Sequence, residues 1–233
     1  GAGAMGSMFG GCLGAIGEDI TLVDINESHI NAIQQNGLKI DRGDGPQYVK
    51  VKATSDPNSV EPADVVIVFC KFLSTAAALE SAKPYITDAT MLWTLQNGIG
   101  NIDIMKNFAP EKRLVKGLTS STGIIDGPGS VSTNFQGETE TFFQPLSGHT
   151  DTAMDKLAAM LTEAGLPTAY TDDIDYRIWR KLVINATLTV LAGAMNTKIG
   201  AVYLNPAGKD LCLAIVEEVV GVAQASGVPL TFD

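Results

Sequence analysis

The chain alternates short apolar runs of strand length with longer stretches in which apolar residues recur at helical spacing. The apolar runs predict strands at residues 20–24, 64–70, 90–95, 114–117 and 167–171. Helical spacing predicts helices at residues 8–13, 27–36, 74–81, 102–108 and 152–164. Strands that alternate with helices need crossover connections, so this pattern predicts an α/β fold built on a parallel, doubly wound sheet.

Two later segments depart from this alternation. In residues 131–143, apolar and polar side chains alternate on both sides of Gly137, which predicts a hairpin added to the edge of the sheet. After Asp172, helical stretches cover residues 176–202 and 209–225. We therefore expect two domains, an α/β domain at residues 1–172 and an all-helical domain at residues 173–233.

The first six residues have the glycine spacing of a dinucleotide-binding turn, and they read Gly1-Ala2-Gly3-Ala4-Met5-Gly6. In such turns the glycines let the backbone approach a pyrophosphate at a helix N-terminus, and a carboxylate about 20 residues further on accepts hydrogen bonds from ribose hydroxyls. Asp24, which ends the first apolar run, stands at that distance. The pattern favours a nicotinamide dinucleotide site over a glycine-rich turn without a ligand.

A second group of polar residues lies within a helical stretch. Lys181, Asn185 and Thr189 are four residues apart, so a helix brings them onto one stripe. The other positions between 182 and 191 are mostly apolar, which predicts a helix buried nearly all round. Since lysine and asparagine are costly to bury without partners, the stripe is expected to face a polar cleft. The alternative is that Lys181 extends to solvent beside Arg180.

Polar residues also follow two predicted strands, at the carboxyl edge where doubly wound sheets bind their ligands. Asn97 and Gly98 belong to an amide- and glycine-rich turn after the strand at 90–95. Lys71 directly follows the strand at 64–70. Both features have an alternative, because an Asn-Gly turn can serve geometry alone and a loop lysine can simply be exposed.

Composition restricts the classes of function. A net charge of −10 argues against nucleic acid, and no apolar run approaches the roughly 20 residues that cross a bilayer. The separated cysteines Cys12, Cys70 and Cys212 indicate a reducing, cytoplasmic compartment and no metal centre. Only two histidines are present, His29 and His149, and both are expected to be solvated bystanders. Among the reaction classes considered, hydride transfer with a lysine as proton donor remains.

Taken in order, GAGAMG, LQNGIGN, KGLTSSTG and WRKLVIN resemble the motifs of the ketopantoate reductase family (2-dehydropantoate 2-reductases) along nearly the whole chain. The resemblance implies a Rossmann domain that binds NADPH, and a helical domain that closes over a 2-oxo acid to be reduced for pantothenate biosynthesis. It also implies roles for single residues: Gly1 to Gly6, Lys71 and Gly98 at the cofactor, Asn97 at cofactor and substrate, Lys181 as catalytic lysine, and Asn185 and Thr189 at the substrate.

Two positions depart from that family. Thr189 stands where the family commonly has a second asparagine, and Asp24 where it usually has a basic residue. Because a carboxylate repels a 2′-phosphate, Asp24 favours NAD over NADP, the family default. The related NAD-dependent D-2-hydroxyacid dehydrogenases share these features and stay an alternative. A non-catalytic dinucleotide-binding module is a further alternative. The β-hydroxyacid dehydrogenases are also related in pattern, but the LQNGIGN turn argues against them.

Both ends of the chain are expected to be truncated. A strand should precede the glycine turn, because this turn leads from the first strand into the first helix, yet the sequence begins at Gly1. The family's later helices would lie beyond Asp233. The expected partners are a small 2-oxo acid and, through the helical domain, a second copy of the chain.

Overall fold

A computed structural model describes residues 1–132 and 140–231 of the chain. These residues form two compact units, the first made of Gly1–Gln96 with Gly100–Asp172 and the second of Asn97–Ile99 with Asp173–Asp233. The first unit is α/β and the second is helical, so the predicted fold class is confirmed. Within the described part of the chain, the helices are too short or too polar to cross a membrane.

The α/β unit alternates strands and helices, with additional strands inserted early in the chain. Its elements are α1 (Ala4–Ala15), β1 (Thr21–Val23), α2 (Glu27–Asn36), β2 (Leu38–Asp41), β3 (Pro46–Val49), β4 (Lys52–Thr54), β5 (Val65–Val68), α3 (Thr75–Ala82), β6 (Met91–Thr94), α4 (Asn101–Met105), β7 (Leu114–Thr119), β8 (Ile124–Gly127), β9 (Ser130–Ser132), β10 (Thr141–Pro145), α5 (Thr152–Glu163) and β11 (Thr168–Tyr170).

The main sheet has five strands in the order β11-β10-β7-β6-β5. Strands β5, β6 and β7 are parallel, and their register pairs Val66 with Leu92 and Trp93 with Val115. Strand β10 runs antiparallel to β7 and parallel to β11. Because the carboxyl ends of parallel strands meet at one edge, the segments that follow β5 and β6 lie on the side of the sheet that binds ligands in such folds.

The remaining strands form a parallel pair, β1 with β4, and a four-stranded sheet in the order β3-β2-β9-β8. Most of the hairpin predicted at 131–143 lies outside the described residues, and its described ends do not pair with each other. Strand β9 pairs with β2 and β8, whereas β10 pairs with β7 and β11. The hairpin here is β8 to β9, which turns at Gly129 with φ of 71°. Gly137 lies outside the described residues. Alternation identifies a strand but not its partner.

Helix α1 packs inside the α/β unit. Its residues from Gly6 to Leu13 are all buried, and Met8, Phe9 and Cys12 share one apolar cluster with the main-sheet residues Trp93, Val115 and Phe143. Side chains on Gly10 and Gly11 would clash, since their ideal Cβ atoms would lie 2.6 Å from Leu22 and 2.2 Å from Ile40. The glycines therefore let β1 and β2 approach the helix closely, which fixes the position of its N-terminus.

The helical unit contains α6 (Ile174–Ile184), a π-helical turn (Asn185–Thr189), α7 (Val190–Ala194), α8 (Ile199–Tyr203) and α9 (Pro206–Ala225). The continuous helix predicted at 176–202 is therefore interrupted, first by the π turn and then at Asn196, whose φ is 48°. The helix is also not buried all round. Trp179 and Val183 are buried, but Ile184 and Val190 are 52% and 59% exposed.

Candidate active site

The glycine turn forms an open helix N-terminus. Gly3 is the N-cap of α1, and its carbonyl accepts the Ser7 N–H at 2.8 Å. The ideal Cβ of Gly6 would lie 1.9 Å from the Gly1 carbonyl oxygen, so only glycine permits this close fold. Apart from chain neighbours, no atom of the described residues lies within 4 Å of an ideal Cβ on Gly3. Gly3 is thus exposed at the start of the helix, where the first N–H groups have no partner within the helix and can bind an anion.

Asp24 lies beside the glycine turn, as the spacing predicts. Its carboxylate follows β1 and accepts the Ala2 N–H at 2.6 Å and the Asn26 N–H at 3.0 Å. The two bonds use different oxygens, and each oxygen keeps a further lone pair that can accept a hydroxyl proton. The structure thus joins the two sequence-predicted parts of the dinucleotide site.

The end of β5 also approaches the turn. An ideal Cβ on Gly1 would lie 3.1 Å from the backbone nitrogen of Cys70, so the segment carrying Lys71 passes beside the first glycine. Lys71 itself is exposed, and its carbonyl accepts the Ser74 N–H at 2.8 Å. The backbone thus places Lys71 at the edge of the dinucleotide turn.

Gln96 connects the segments that follow β5 and β6, a role that sequence reasoning missed. Its amide nitrogen donates to the Cys70 carbonyl at 2.8 Å and to Thr75 Oγ1 at 2.9 Å. The Thr94 hydroxyl donates to its amide oxygen at 3.0 Å. A glutamine directly after a buried strand and before Asn-Gly was the available signal, because a half-buried amide needs such partners.

Asn97 and Gly98 occupy a turn that requires glycine. Gly98 and Gly100 have φ of 86° and 84°, a left-handed conformation that favours glycine. Asn97 is exposed, and the segment Asn97–Ile99 belongs to the helical unit, which also contains Lys181. The glycines of this turn are therefore needed for its backbone conformation. The Asn97 side chain lies at the surface.

Lys181 lies in the last turn of α6 and is half-buried. Burial lowers the pKa of its ammonium group below the ordinary value for lysine. The buried residues Trp179 and Val183 flank it in sequence and belong to the apolar cluster that anchors α6. Arg180 is exposed. Lys181 is thus partly enclosed, whereas its neighbour in sequence is open to solvent.

The π turn changes the predicted stripe. In an α-helix, residue i+4 lies past a full turn, so a stripe of such residues drifts around the helix. A wider π turn leaves residue i+4 short of a full turn. Thr189 is therefore set back toward the side of the helix that carries Lys181 and Asn185. The buried hydroxyl of Thr187 donates to the Val183 carbonyl at 2.7 Å within this turn. Such a bond competes locally with the α-helical hydrogen bonds.

The expectation that His29 is solvated is wrong, whereas His149 is exposed. His29 is only 2% exposed, although it lies in the first turn of a surface helix. Its ring nitrogens contact Ser7 Oγ and the Gly129 N–H, both at 3.0 Å. Burial lowers the pKa of its imidazole, against an opposing effect of the Asp24 carboxylate. The helical periodicity could not reveal this, because the partners are supplied by distant segments.

Comparison with known proteins identifies the family. Residues 1–148 match the model described as "Ketopantoate reductase PanE/ApbA", and residues 173–233 match the one described as its C-terminal part. A 2-dehydropantoate 2-reductase from Streptococcus pyogenes is 32% identical over 230 residues, which are 99% of this chain and 74% of that protein. One from Lactococcus lactis is also 32% identical, over the same shares of both chains.

Solved structures agree with this assignment. A ternary structure of D-mandelate dehydrogenase with NADH and anilino(oxo)acetate has a TM-score of 0.91 and 29% identity over 99% of this chain and 74% of that one. A PanE/ApbA family ketopantoate reductase from Ralstonia eutropha has a TM-score of 0.90 and 28% identity over 100% of this chain and 75% of that one. The chain therefore belongs to the ketopantoate reductase PanE/ApbA family of nicotinamide-dependent oxidoreductases.

Proposed function

We propose that this protein reduces 2-dehydropantoate, a 2-oxo acid, to the 2-hydroxy acid pantoate with a nicotinamide cofactor. Family membership supports the reaction, and curated relatives with this activity are similar along 99% of the chain. The observation that carries the chemistry is Lys181, a partly enclosed lysine with lowered pKa one turn before the π turn. A non-catalytic binding module would have no use for that arrangement.

The glycine turn and Asp24 fit the cofactor. A pyrophosphate can accept hydrogen bonds from the open N-terminus of α1, where a side chain on Gly6 would not fit against Gly1. The adenosine ribose would then meet the remaining lone pairs of Asp24. When bound, a reduced nicotinamide supplies the hydride that carbonyl reduction requires.

Lys181 would act as the general acid. A ketone that accepts hydride at C2 develops negative charge on its oxygen, and an ammonium group stabilises that charge best where water is restricted. Lys181 Nζ then gives its proton to the oxygen, which completes the hydroxyl group, and recovers a proton from water. The lowered pKa makes it a better donor near neutral pH, because efficiency rises as the pKa of the acid approaches the working pH.

Asn97, Asn185 and Thr189 would bind the substrate. All three belong to the same helical unit as Lys181, and two of them lie on the row that the π turn straightens. Amide and hydroxyl groups can donate to the carboxylate of a 2-oxo acid or to the hydroxyl of 2-dehydropantoate. Lys71 and Gly98 complete the proposed cofactor contacts, Lys71 through its charge and Gly98 through its backbone.

We further propose that the enzyme prefers NADH to NADPH. Asp24 is held beside the turn by two backbone N–H groups, so it cannot easily move away from an incoming 2′-phosphate. The residues that follow it, Ile25 to Ser28, include no cation that could compensate. Like charges at such a distance oppose binding.

The test is turnover of the complete gene product with a panel of 2-oxo acids. We expect oxidation of NADH with 2-dehydropantoate at a higher kcat/KM than with phenylglyoxylate, the 2-oxo counterpart of mandelate. Faster turnover of phenylglyoxylate would contradict 2-dehydropantoate as the substrate and would favour a D-2-hydroxyacid dehydrogenase. Cofactor binding without turnover of any 2-oxo acid would favour a binding module.

The surface of the helical unit supports a second copy of the chain as a partner. Ile184, Val190 and Met195 are 52%, 59% and 62% exposed, and all lie in or next to α6 and α7. A contiguous patch of exposed apolar side chains marks a contact surface. We propose a homodimer through this unit, which the molar mass in solution tests by light scattering, and a monomer would contradict it.

The cysteines support a cytoplasmic location. All three are free thiols, Cys12 and Cys212 are buried, and Cys70 is half-buried. Burial raises the pKa of the Cys12 thiol, so this group stays protonated and unreactive. Imaging of the tagged full-length protein in its host checks the location, and an exported protein would contradict it.

A further inference from the structure

A buried chain of hydrogen bonds joins three elements to the glycine turn. The Gly129 N–H donates to Nδ1 of His29 at 3.0 Å, and Nε2 of His29 lies 3.0 Å from Ser7 Oγ. The Ser7 hydroxyl then donates to the Ala2 carbonyl at 2.7 Å. Ser7, His29 and Ala2 are 0%, 2% and 1% exposed. The β8–β9 turn, α2 and α1 are thereby connected to the second residue of the dinucleotide turn.

The direction of each bond follows from the chemistry of the donors. A backbone N–H can only donate, so Nδ1 of His29 must offer a lone pair to Gly129. The proton of the neutral ring is then on Nε2, which donates to Ser7 Oγ. The single hydroxyl proton of Ser7 is then available for the hydrogen bond to the Ala2 carbonyl. Only the neutral Nε2–H tautomer of His29 satisfies all three bonds.

Gly129 can reach His29 because it is glycine. Its φ of 71° is one that favours glycine, and an ideal Cβ there would lie 3.0 Å from the Cβ of Ala32 on α2. Its carbonyl accepts the Lys39 N–H at 2.9 Å, which ties the same peptide segment to β2. The Gly129 N–H donor that fixes the tautomer of His29 is therefore held rigidly by the four-stranded sheet and α2.

The other end of the chain fixes a functional peptide. Ala2 donates its N–H to Asp24 at 2.6 Å and receives Ser7 at its carbonyl, so both of its backbone polar groups are engaged. The next N–H belongs to Gly3, the N-cap of α1. A rotation of the Ala2–Gly3 peptide would break the Ser7 bond and would turn the Gly3 N–H with it.

We infer that His29 and Ser7 are positioning residues of the dinucleotide site: the Nε2–H tautomer of His29 aligns the Ser7 hydroxyl, which holds the Ala2–Gly3 peptide in the orientation that receives the pyrophosphate. The inference rests on the proposed cofactor function, and it assigns a role outside the GxGxxG residues themselves. A turn that is already ordered binds more tightly, because less conformational freedom is lost on binding.

The test compares the binding of NADH, followed by its fluorescence, in the parent, in three single variants altered within this chain of hydrogen bonds and in one control variant outside it. Ser7→Ala removes the hydroxyl with little change in volume. His29→Asn keeps an acceptor near Nδ1 but cannot reach Ser7, whereas His29→Gln keeps a donor near Nε2. Ser81→Ala is the control, since Ser81 makes a comparable bond to the Ala78 carbonyl at an exposed position of α3.

We expect Ser7→Ala and His29→Asn each to raise the Kd for NADH about three- to tenfold, the loss expected for one hydrogen bond. The kcat at saturating cofactor should stay within about twofold, because these residues do not touch the reacting atoms. His29→Gln should restore part of the affinity. The double variant Ser7→Ala/His29→Asn should have a Kd for NADH no higher than that of the single variant with the higher Kd. Both substitutions interrupt the same chain of hydrogen bonds, so their effects should not add.

A spectroscopic readout tests the same inference without cofactor. Nitrogen-15 NMR of the parent should give His29 as the neutral Nε2–H tautomer at neutral pH, and Ser81→Ala should leave both this signal and the Kd unchanged. An Nδ1–H tautomer, or unchanged affinity in Ser7→Ala and His29→Asn, would overturn the inference while the cofactor assignment stands. A parent that binds neither NADH nor NADPH would overturn the cofactor assignment and this inference together.

Discussion

At the scale of single residues, the proposal for catalysis depends on Lys181. Lys181→Met should lower kcat for 2-oxo acid reduction by at least about a hundredfold, because a positioned general acid contributes about 10²–10⁴-fold. Steady-state kinetics measure this effect.

Arg180→Ala is the matched control for this substitution. Arg180 is adjacent and exposed, and it points about 100° around the helix from Lys181. We expect near-parental kcat and KM. Equal losses in the two variants would mean that this helix matters for structure and that Lys181 is not the acid.

The pH dependence of the reaction tests the same residue. Lys181 must be protonated to donate, so reduction should slow as pH rises through its lowered pKa. The decline should begin below the range of an ordinary lysine, near 10.4. A pH profile of kcat measures it, and a profile that stays flat to the ordinary lysine range would contradict the assignment.

Cofactor choice depends on Asp24. Asp24→Arg should shift the ratio of kcat/KM values toward NADPH, because it replaces a repelling charge with one that pairs with a 2′-phosphate. Asp19→Asn is the control, since Asp19 is an exposed carboxylate that pairs with Lys52 at 2.8 Å. A parent enzyme with the higher kcat/KM for NADPH would contradict the preference.

At the scale of elements, the π turn is the feature that orders the proposed substrate residues. Thr187→Val removes the hydroxyl that donates to Val183 while keeping the branched shape. We expect a higher KM for the 2-oxo acid with a smaller loss in kcat, because Thr189 would move away from the row through Lys181 and Asn185.

The control for the π turn is on α5. Thr162 donates to the Ala158 carbonyl at 2.8 Å, four residues back, within a helix that stays α-helical. Thr162→Val should lower the melting temperature modestly and leave the kinetics unchanged. A Thr187→Val enzyme with parental KM would separate the π turn from substrate binding.

At the scale of the whole molecule, His29 should make stability depend on pH. Burial lowers its pKa in the folded protein, with the nearby Asp24 carboxylate acting in the opposite direction. The unfolded chain therefore binds the proton first as pH falls below about 6.5, and the folded state loses stability down to the folded pKa. Urea unfolding between pH 5 and 8 measures this loss. The loss should be smaller in His29→Gln, and an equal slope would contradict it.

The family, the α/β class followed by helices, and the strands of the main sheet were predictable from sequence because each depends on local signals. The glycine turn, the run from Val65 to Cys70 and the motif around Lys181 carry their meaning within a few residues. The spacing between Gly6 and Asp24 also anticipated a contact that the structure contains. The roles of the predicted site residues stay proposals.

Only the tertiary structure decided which distant segments meet. Alternation in residues 131–143 could not say that β9 and β10 join different sheets, because the choice depends on partners elsewhere in the chain. Helical periodicity placed His29 on a surface, yet Gly129 and Ser7 enclose it. It likewise missed the π turn at Asn185–Thr189, which contains the hydrogen bond from Thr187 to Val183. Local pattern determines which element forms, whereas long-range packing determines which groups it brings together.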